Sequence, residues 1–312
     1  MKKIILVLAA ALFSAGVMSA QDLGQATETY NSGATALADG DKAAALEFFQ
    51  QALKEGEAVG DEAAELVNNC KTTIPKLILS IAKDNIKAKD FAAAVENLTK
   101  AIKTGNDYEQ DEVSIEAEGL VPQVYMQQGN AAMTAKKYDE AETAYNKVLE
   151  LDATNGAAAL RLGAVLNSAG KTEEAIAAFE KAAELGQAKD ANKQLSNIYV
   201  KEAQTALKAN KNAEAFELAA KSNAALENSN AYKLAASAAQ KLGKDTDMIA
   251  AYEKYLELTP NAKDAAGVNF TIAATYQKAG NKEKAKEFYS KVPVTDAQFG
   301  ASAKQQLDAL NK

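Results

Sequence analysis

Two consecutive stretches of the sequence carry the same series of small and large residues, and Gly129 and Gly163 hold equivalent places 34 residues apart. The small residues allow two antiparallel helices to approach closely, and an aromatic ring fills the gap between them. Each helix pair leaves an apolar face open that only a neighbouring pair covers, so such a chain folds as a stack of pairs. The two series are Tyr125, Gly129, Ala132, Tyr138, Ala141, Tyr145 and Val148, then Gly163, Leu166, Gly170, Ala175, Phe179 and Ala182.

The composition favours an all-helical chain. Alanine fills 68 of the 312 positions, while there are 4 prolines and no tryptophan. Because alanine is the strongest helix former and proline the strongest breaker, we expect nearly all of the chain to be helix. This excludes β-sandwiches, β-barrels and doubly wound sheets. The length allows two ordinary domains or one long array of repeats.

The spacings resemble those of the tetratricopeptide repeat, and the same template falls on seven segments. The resemblance implies an all-α fold, a right-handed α-solenoid of about seven helix pairs over residues 21–312. Departures from the family's pattern include the missing tryptophan, Glu202 at a usually apolar position and Met248 at a usually small one. The predicted repeats lie near residues 26–59, 75–108, 122–155, 156–189, 196–229, 229–262 and 266–299.

A capping helix is predicted at the C-terminal end, over residues 295–311. Thr295 followed by Gln298 forms a capping-box arrangement, which marks a helix start. The helix that follows carries Phe299, Leu307 and Leu310 among lysine and glutamine. A terminal helix with one polar face is what a solenoid needs to cover its last open face.

The first three repeats are spaced more widely than the rest, and the extra residues are helical in pattern. Residues 61–74 and 111–121 are therefore predicted to extend the first helix of the next repeat backwards, by roughly 20 Å each. Pro75 and Pro122 follow these extensions and are expected to kink or interrupt the helices. Two interpretations stay open: longer helices that pack against each other, or a projecting platform for a partner.

Residues 1–20 have the layout of a secretory signal peptide. Lys2 and Lys3 precede an apolar run from Ile4 to Phe13, and small residues lead to Ala20. The run is shorter than the ~20 residues that a membrane-spanning helix needs. We expect cleavage after Ala20 or at a neighbouring bond, no transmembrane segment in the mature chain, and export to the periplasm of a Gram-negative cell.

Residue types on which many enzymes and nucleic-acid readers depend are missing or rare. Without histidine there is no Ser-His-Asp triad and no His-ligated metal site. The single Cys70, expected to be buried, excludes an intramolecular disulfide and a multi-cysteine metal site. Arg161 is the only arginine, and the formal charge is −7, which disfavours nucleic acid as a partner. We expect no catalysis, no cofactor and no metal.

The resemblance also implies a place for a partner, because in this family the first helices of the repeats line a concave groove that grips peptides or other proteins. The carboxylate-clamp pattern of the family is disfavoured, since Met126 and Arg161 stand where Lys and Asn belong. Exposed Met and Leu beside amides would suit a peptide with apolar side chains and an available backbone. Mapped onto the third and fourth repeats, the groove positions are Gln123, Met126, Asn130, Met133, Leu160, Ala164, Asn167 and Ser168.

The function that follows from the resemblance is a non-enzymatic scaffold of the bacterial cell envelope. It would bind a protein or peptide on the concave face and could belong to a larger envelope complex. The alternative is a periplasmic, holdase-like carrier of unfolded polypeptides, which would bind many clients instead of one partner.

Overall fold

A computed structural model describes residues 19–311, and these residues form α-helices joined by short turns. The predicted signal peptide falls mostly on residues 1–18, which lie outside the described residues. Among residues 19–311 the α-helices are α1 (Ser19–Ala38), α2 (Lys42–Val59), α3 (Ala64–Ala88), α4 (Phe91–Asp107), α5 (Asp111–Thr134), α6 (Tyr138–Leu151), α7 (Gly156–Ser168), α8 (Thr172–Ala182), α9 (Ala188–Lys208), α10 (Asn212–Ala225), α11 (Ser229–Lys241), α12 (Asp245–Leu258), α13 (Ala265–Lys278), α14 (Lys282–Ser290) and α15 (Gly300–Leu310).

The helices form two compact units, one ending at Ala153 and the other beginning at Thr154. The first unit contains α1 to α6 and the second α7 to α15. Consecutive helices pack as pairs, three pairs in the first unit and four in the second, and α15 follows the last pair. The predicted all-α fold of about seven helix pairs with a terminal helix is confirmed for the described residues. No helix among them is both long enough and apolar enough to cross a membrane.

The two helices of a pair are joined by one recurring kind of turn. A residue with positive φ ends the first helix, for example Gly40 at 88° or Gly280 at 79°. In three of these turns within residues 19–311 the side chain of the next residue caps the second helix: for example, the Asp41 carboxylate accepts a hydrogen bond from the backbone N–H of Ala44 (3.0 Å), and Asn281 accepts one from Lys284 (3.1 Å). Because these side chains satisfy free N–H groups, the turn also fixes where the second helix begins.

Small residues face aromatic rings inside the pairs, as the repeated series predicts. A Cβ added to Gly129 would lie 2.6 Å from the ring of Tyr145, and one added to Gly163 would lie 2.7 Å from the ring of Phe179. Both rings are buried. The glycines therefore let each ring lie directly against the backbone of the facing helix.

The two extended helices are continuous through their prolines. Pro75 lies inside α3 and Pro122 inside α5, so neither proline interrupts its helix. A proline in a helix interior destabilises the helix by roughly 3 kcal/mol. In α3 the burial of residues on both sides of Pro75 offsets this loss. Of the two expected outcomes, a kink or an interruption, the interruption is wrong, because the residues around each proline are held by packing, with Ile74 and Leu77 buried in α3.

The extensions pack against neighbouring helices instead of projecting. Leu66 and Val67 of α3 lie against Gly56 of α2, and Ser114 of α5 lies against Gly105 of α4. The second helices α2 and α4 have 18 and 17 residues, long enough to accompany the extended helices. The structure thus favours the interpretation that these are longer packing helices.

The terminal helix begins later than predicted. α15 starts at Gly300, because the Asp296 carboxylate accepts hydrogen bonds from the backbone N–H groups of Gln298 (3.0 Å) and Phe299 (2.8 Å) and stabilises a turn there. Thr295 therefore does not cap the helix. The helix still covers the last pair: Phe299 packs beside Gly267 and lies 5.3 Å from the ring of Phe270.

Candidate functional site

Some first helices of neighbouring pairs contact one another within each unit. In the first unit α1 contacts α3, and α3 contacts α5; in the second unit α9 contacts α11. The second helices make no comparable contact with each other in the described part of the chain. In a curved stack of helix pairs, the helices on the inner side lie closer to their counterparts in the next pair than the helices on the outer side do. We call the exposed side of the first helices the inner face of each unit.

The first-unit members of the predicted groove lie on one face of α5. Gln123 is exposed, and Met126, Asn130 and Met133 are half-buried. The Gln123 side-chain N–H donates to the Gly119 carbonyl oxygen (3.0 Å), so part of this amide is used within its own helix. The two thioethers are thus the flexible apolar groups of this face, and methionine adapts to differently shaped partners.

Asn130 has a structural role that the sequence did not reveal. The Tyr145 hydroxyl donates a hydrogen bond to the Asn130 side-chain oxygen (2.8 Å). The ring of Tyr145 passes under Gly129, which brings its hydroxyl to the neighbouring residue on α5. Replacing Asn130 with Ala would therefore remove this acceptor from the hydroxyl of the buried Tyr145.

The second-unit members of the groove lie on α7. Leu160 and Ala164 are half-buried, whereas Asn167 and Ser168 are exposed. The Ser168 hydroxyl donates to the Ala164 carbonyl oxygen (2.8 Å). The Asn167 side chain makes no hydrogen bond within residues 19–311 and keeps its donors and acceptor for a partner.

One apolar residue of the α5 face was missed. Ile115 is 67% exposed and, counted in helical turns, lies in line with Met126 and Met133. The exposed Gly119 between them has no neighbouring atom within 4 Å of an added Cβ. The periodicity of the sequence contains this signal, but residues 111–121 were interpreted as a longer packing helix or a platform, separate from the groove.

A charged cluster ties the inner face of α11 to the loop before α13. Lys233 Nζ lies 2.6 Å from Asp264 Oδ2, and the Tyr255 hydroxyl donates to Asp264 Oδ1 (2.6 Å). Burial raises the pKa of Asp264, but the hydrogen bonds from Lys233 and Tyr255 outweigh burial and hold that pKa below its usual value. The charge of Lys233 is thus matched inside the chain.

Side chains that could hold a metal ion do not converge in the described part of the chain. Among residues 19–311 there is no cluster of three carboxylates or thiols that could hold a metal ion. Cys70 is fully buried, and burial raises the pKa of its thiol to about 12. The thiol therefore stays protonated near neutral pH and is not a reactive nucleophile.

Comparison with protein families agrees with this geometry. The family described as tetratricopeptide repeat matches residues 126–191, 229–262 and 266–292. The chain contains tetratricopeptide repeats. These TPR matches fall in both units, and they include the helices that carry the predicted groove residues from Met126 onward.

Several solved structures are similar to parts of this chain. MamA is 20% identical, with 61% of this chain and 96% of MamA covered, at a TM-score of 0.35. YrrB, a TPR protein with an unusual peptide-binding site, is 21% identical over 68% of this chain and all of YrrB, at a TM-score of 0.33. PilF of Pseudomonas aeruginosa is 16% identical over 62% and 93% of the two chains, at a TM-score of 0.29. No curated protein sequence matches the chain.

Proposed function

We propose that this TPR protein is a non-enzymatic scaffold that binds a protein or peptide on the inner faces of its two units. The observation that carries the proposal is the side-chain chemistry of the first helices. On α5 two half-buried methionines and the exposed Ile115 form an apolar line, and on α7 Asn167 offers a free amide beside Leu160. Apolar contacts supply affinity for side chains, and amides bind a peptide backbone.

The TPR assignment supports the same function, since repeats of this type are generally binding modules and not catalysts. YrrB, which shares the repeat type, has a peptide-binding site. Within residues 19–311 no group of three carboxylates or thiols could hold a metal ion, and the Cys70 thiol is buried and protonated.

The site is tested by titrating a purified partner against matched variants. The partner is first obtained by crosslinking and pull-down from the cells that make the protein. Replacing Met126 and Met133 with Ala removes the apolar line, and replacing Asn167 with Ala removes the free amide. We expect each change to weaken binding by roughly 1 kcal/mol or more, because groups in a desolvated contact carry much of the affinity.

The control is the exposed acidic pair Glu173 and Glu174 at the start of α8, replaced with Ala. Exposed substitutions outside a contact usually change stability or binding by less than about 0.5 kcal/mol. Equal affinities of the inner-face variants and the control would reject the proposed site. Recovery of many unrelated clients, instead of one dominant partner, would favour the holdase-like carrier.

We further propose that the scaffold acts in the cell envelope, in the periplasm of a Gram-negative cell and in association with an envelope complex. This part rests on the signal-peptide pattern of residues 1–20. The mature chain should then begin at Gln21 or at a neighbouring residue and fractionate with the periplasm. Mass spectrometry that finds an intact Met1 on protein held in the inner membrane would contradict this location.

A further inference from the structure

The accessible sulfur atoms of the described chain are concentrated on the inner face of α5. The sequence contains five methionines and one cysteine, and three of the methionines lie within residues 19–311: Met126, Met133 and Met248. Met126 and Met133 are half-buried on α5, whereas Met248 on α12 is only 1% exposed. Of these three methionines, the two that solvent reaches are therefore the two thioethers of the proposed binding site.

The other two sulfur atoms within residues 19–311 are shielded. Cys70 is fully buried, and its thiol stays protonated near neutral pH because burial raises its pKa to about 12. Oxidation of cysteine proceeds from the thiolate, so this thiol reacts slowly. Met248 belongs to the apolar core of the second unit, together with Ile249 and Tyr252. Its sulfur meets a dissolved oxidant only when that part of the core opens.

Met126 and Met133 form one spot on α5. Seven residues separate them, which is about two helical turns, so both side chains lie on the same side of the helix, roughly 10 Å apart along its axis. Asn130 lies between them, and its side-chain oxygen accepts the hydrogen bond from the Tyr145 hydroxyl (2.8 Å). A chemical change at the two sulfur atoms therefore alters the polarity at both ends of this spot.

We propose that Met126 and Met133 form a redox switch, in which a peroxide oxidises both thioethers to sulfoxides and thereby weakens binding of the partner. This proposal rests on the proposed function and adds a regulation of the same site. The oxidant is a peroxide and the product beside each sulfoxide is water or, from an organic peroxide, an alcohol.

The oxidation is the same at each of the two side chains. A lone pair of the sulfur attacks one oxygen of the peroxide, so that an S–O bond forms and the O–O bond breaks. The sulfur gives up two electrons, and the peroxide is reduced by the same two electrons. The proton on the transferred oxygen passes to the leaving oxygen, which with hydrogen peroxide departs as water.

Oxidation changes what the α5 spot can bind. A thioether is apolar and packs against apolar side chains, whereas a sulfoxide is polar and carries an oxygen that accepts hydrogen bonds. When a contact excludes water, that oxygen loses its hydration without gaining a donor from an apolar partner, and this opposes binding. Methionine sulfoxide reductases restore the thioether, with one enzyme for each stereoisomer, so the switch is reversible.

The first test measures where oxygen is added and needs no partner. The purified protein is treated with hydrogen peroxide under native conditions, and peptide mass spectrometry follows the gain of one oxygen atom at each methionine. Met126 and Met133 should be oxidised at least about tenfold faster than Met248, which has to wait for a local opening. The three rates should converge in denaturant. A native rate for Met248 equal to theirs overturns the proposal.

The second test measures binding of the partner purified by the crosslinking pull-down. Peroxide treatment of the wild-type protein should weaken this binding by roughly tenfold or more, while the circular dichroism spectrum stays unchanged. Treatment with both types of methionine sulfoxide reductase should restore the affinity. An affinity that peroxide leaves unchanged, although mass spectrometry finds both sulfoxides, overturns the proposal.

Matched variants show whether the oxygen acts at this spot. M126L/M133L keeps apolar side chains of similar volume but has no sulfur there. Whatever its own affinity, that affinity should be the same before and after peroxide. The control M248L removes only the buried methionine and should lose affinity on peroxide treatment as the wild type does. An equal loss in M126L/M133L and the wild type overturns the proposal, because the oxygen would then act elsewhere in the chain.

The wild-type protein alone decides the question if M126L/M133L is poorly folded. Recovery of affinity together with reduction of the two sulfoxides supports the switch, and reduction without recovery overturns it. If the partner binds the inner face and peroxide has no effect, the switch fails while the scaffold proposal stands. If replacing Met126 and Met133 with Ala leaves the affinity of the untreated protein unchanged, the proposed α5 site fails and the switch fails with it.

Discussion

At position 129 the chain has room for a hydrogen atom and nothing larger. The ring of Tyr145 occupies the place of a side chain, 2.6 Å from where a Cβ would lie, and its hydroxyl is held by Asn130. The repeated series of small and aromatic residues predicts the contact between Gly129 and the ring of Tyr145. The series does not predict the hydrogen bond from Tyr145 to Asn130. That bond joins two helices, its partners are 15 residues apart in the sequence, and it depends on the exact length of the tyrosine side chain.

Gly129→Ala is expected to destabilise the protein by about 1–3 kcal/mol, because a buried and tethered ring has to move. Gly119→Ala is the matched control on the same helix, where an added Cβ meets no atom within 4 Å. This control should stabilise by up to about 1 kcal/mol, since alanine is the better helix former. Chemical denaturation measures both changes, and equal effects of the two would contradict the packing described for Tyr145.

Cys70 should react with a thiol reagent only after the first unit unfolds. Burial raises its thiol pKa to about 12, above the roughly 8.5 of an exposed cysteine, so little thiolate forms in the native state. A raised pKa also means that the thiol contributes stability below pH ~8.5 that is lost as pH rises through about 12. Labelling is followed against denaturant concentration at pH ~8. Rapid labelling of the native protein would show that the thiol is accessible.

At the scale of elements, the helix pairs follow from the sequence, but their ends and continuity depend on contacts. Pro122 looks like a helix boundary in the sequence, yet α5 passes through it because Val113 and Val124 are buried on either side. Thr295 looks like a cap, yet Asp296 takes the free N–H groups and moves the start of α15 to Gly300. Local signals compete: burial of the flanking valines decides the outcome at Pro122, and the hydrogen bonds that Asp296 accepts decide it at Thr295.

Deleting the chain from Thr295 onward should destabilise the last helix pair first. The deletion exposes Phe270, which Phe299 covers, and removes the hydrogen bond between Gln277 and Gln306 (3.0 Å). Because each pair contacts only its neighbours, amide exchange should quicken in α13 and α14 before α9 or α10. Uniform loss of protection across the second unit would contradict this nearest-neighbour account.

The loop before α13 should loosen when its carboxylate is lost. Asp264→Asn breaks the charge pair with Lys233, and we expect a cost below about 1 kcal/mol, because both side chains are partly exposed and solvent screens the pair. The Asp264 pKa is lowered, so its contribution exists above the unfolded pKa of roughly 4 and is lost as pH falls through the folded value. The difference between wild type and variant in thermal unfolding should therefore vanish in acid. A difference in thermal stability that stays constant as the pH falls would show that Asp264→Asn acts through packing and not through the charge pair.

At the scale of the whole molecule, the repeat type could be predicted from the sequence, whereas the choice of the first helices for the inner faces is what the resemblance to the repeat family implies. The sequence pattern does not identify the partner, because a groove constrains the chemistry of its ligand and not the ligand's identity.

Site-specific photocrosslinking in the cells that make the protein tests the central claim most directly. The photoreactive residue replaces Gln123 or Gln204 on the inner faces, and Thr143 or Glu217, exposed on the second helices, as controls. The account predicts a crosslinked protein partner from at least one inner position and none from the controls. Crosslinks only from Thr143 or Glu217 would contradict binding on the inner faces.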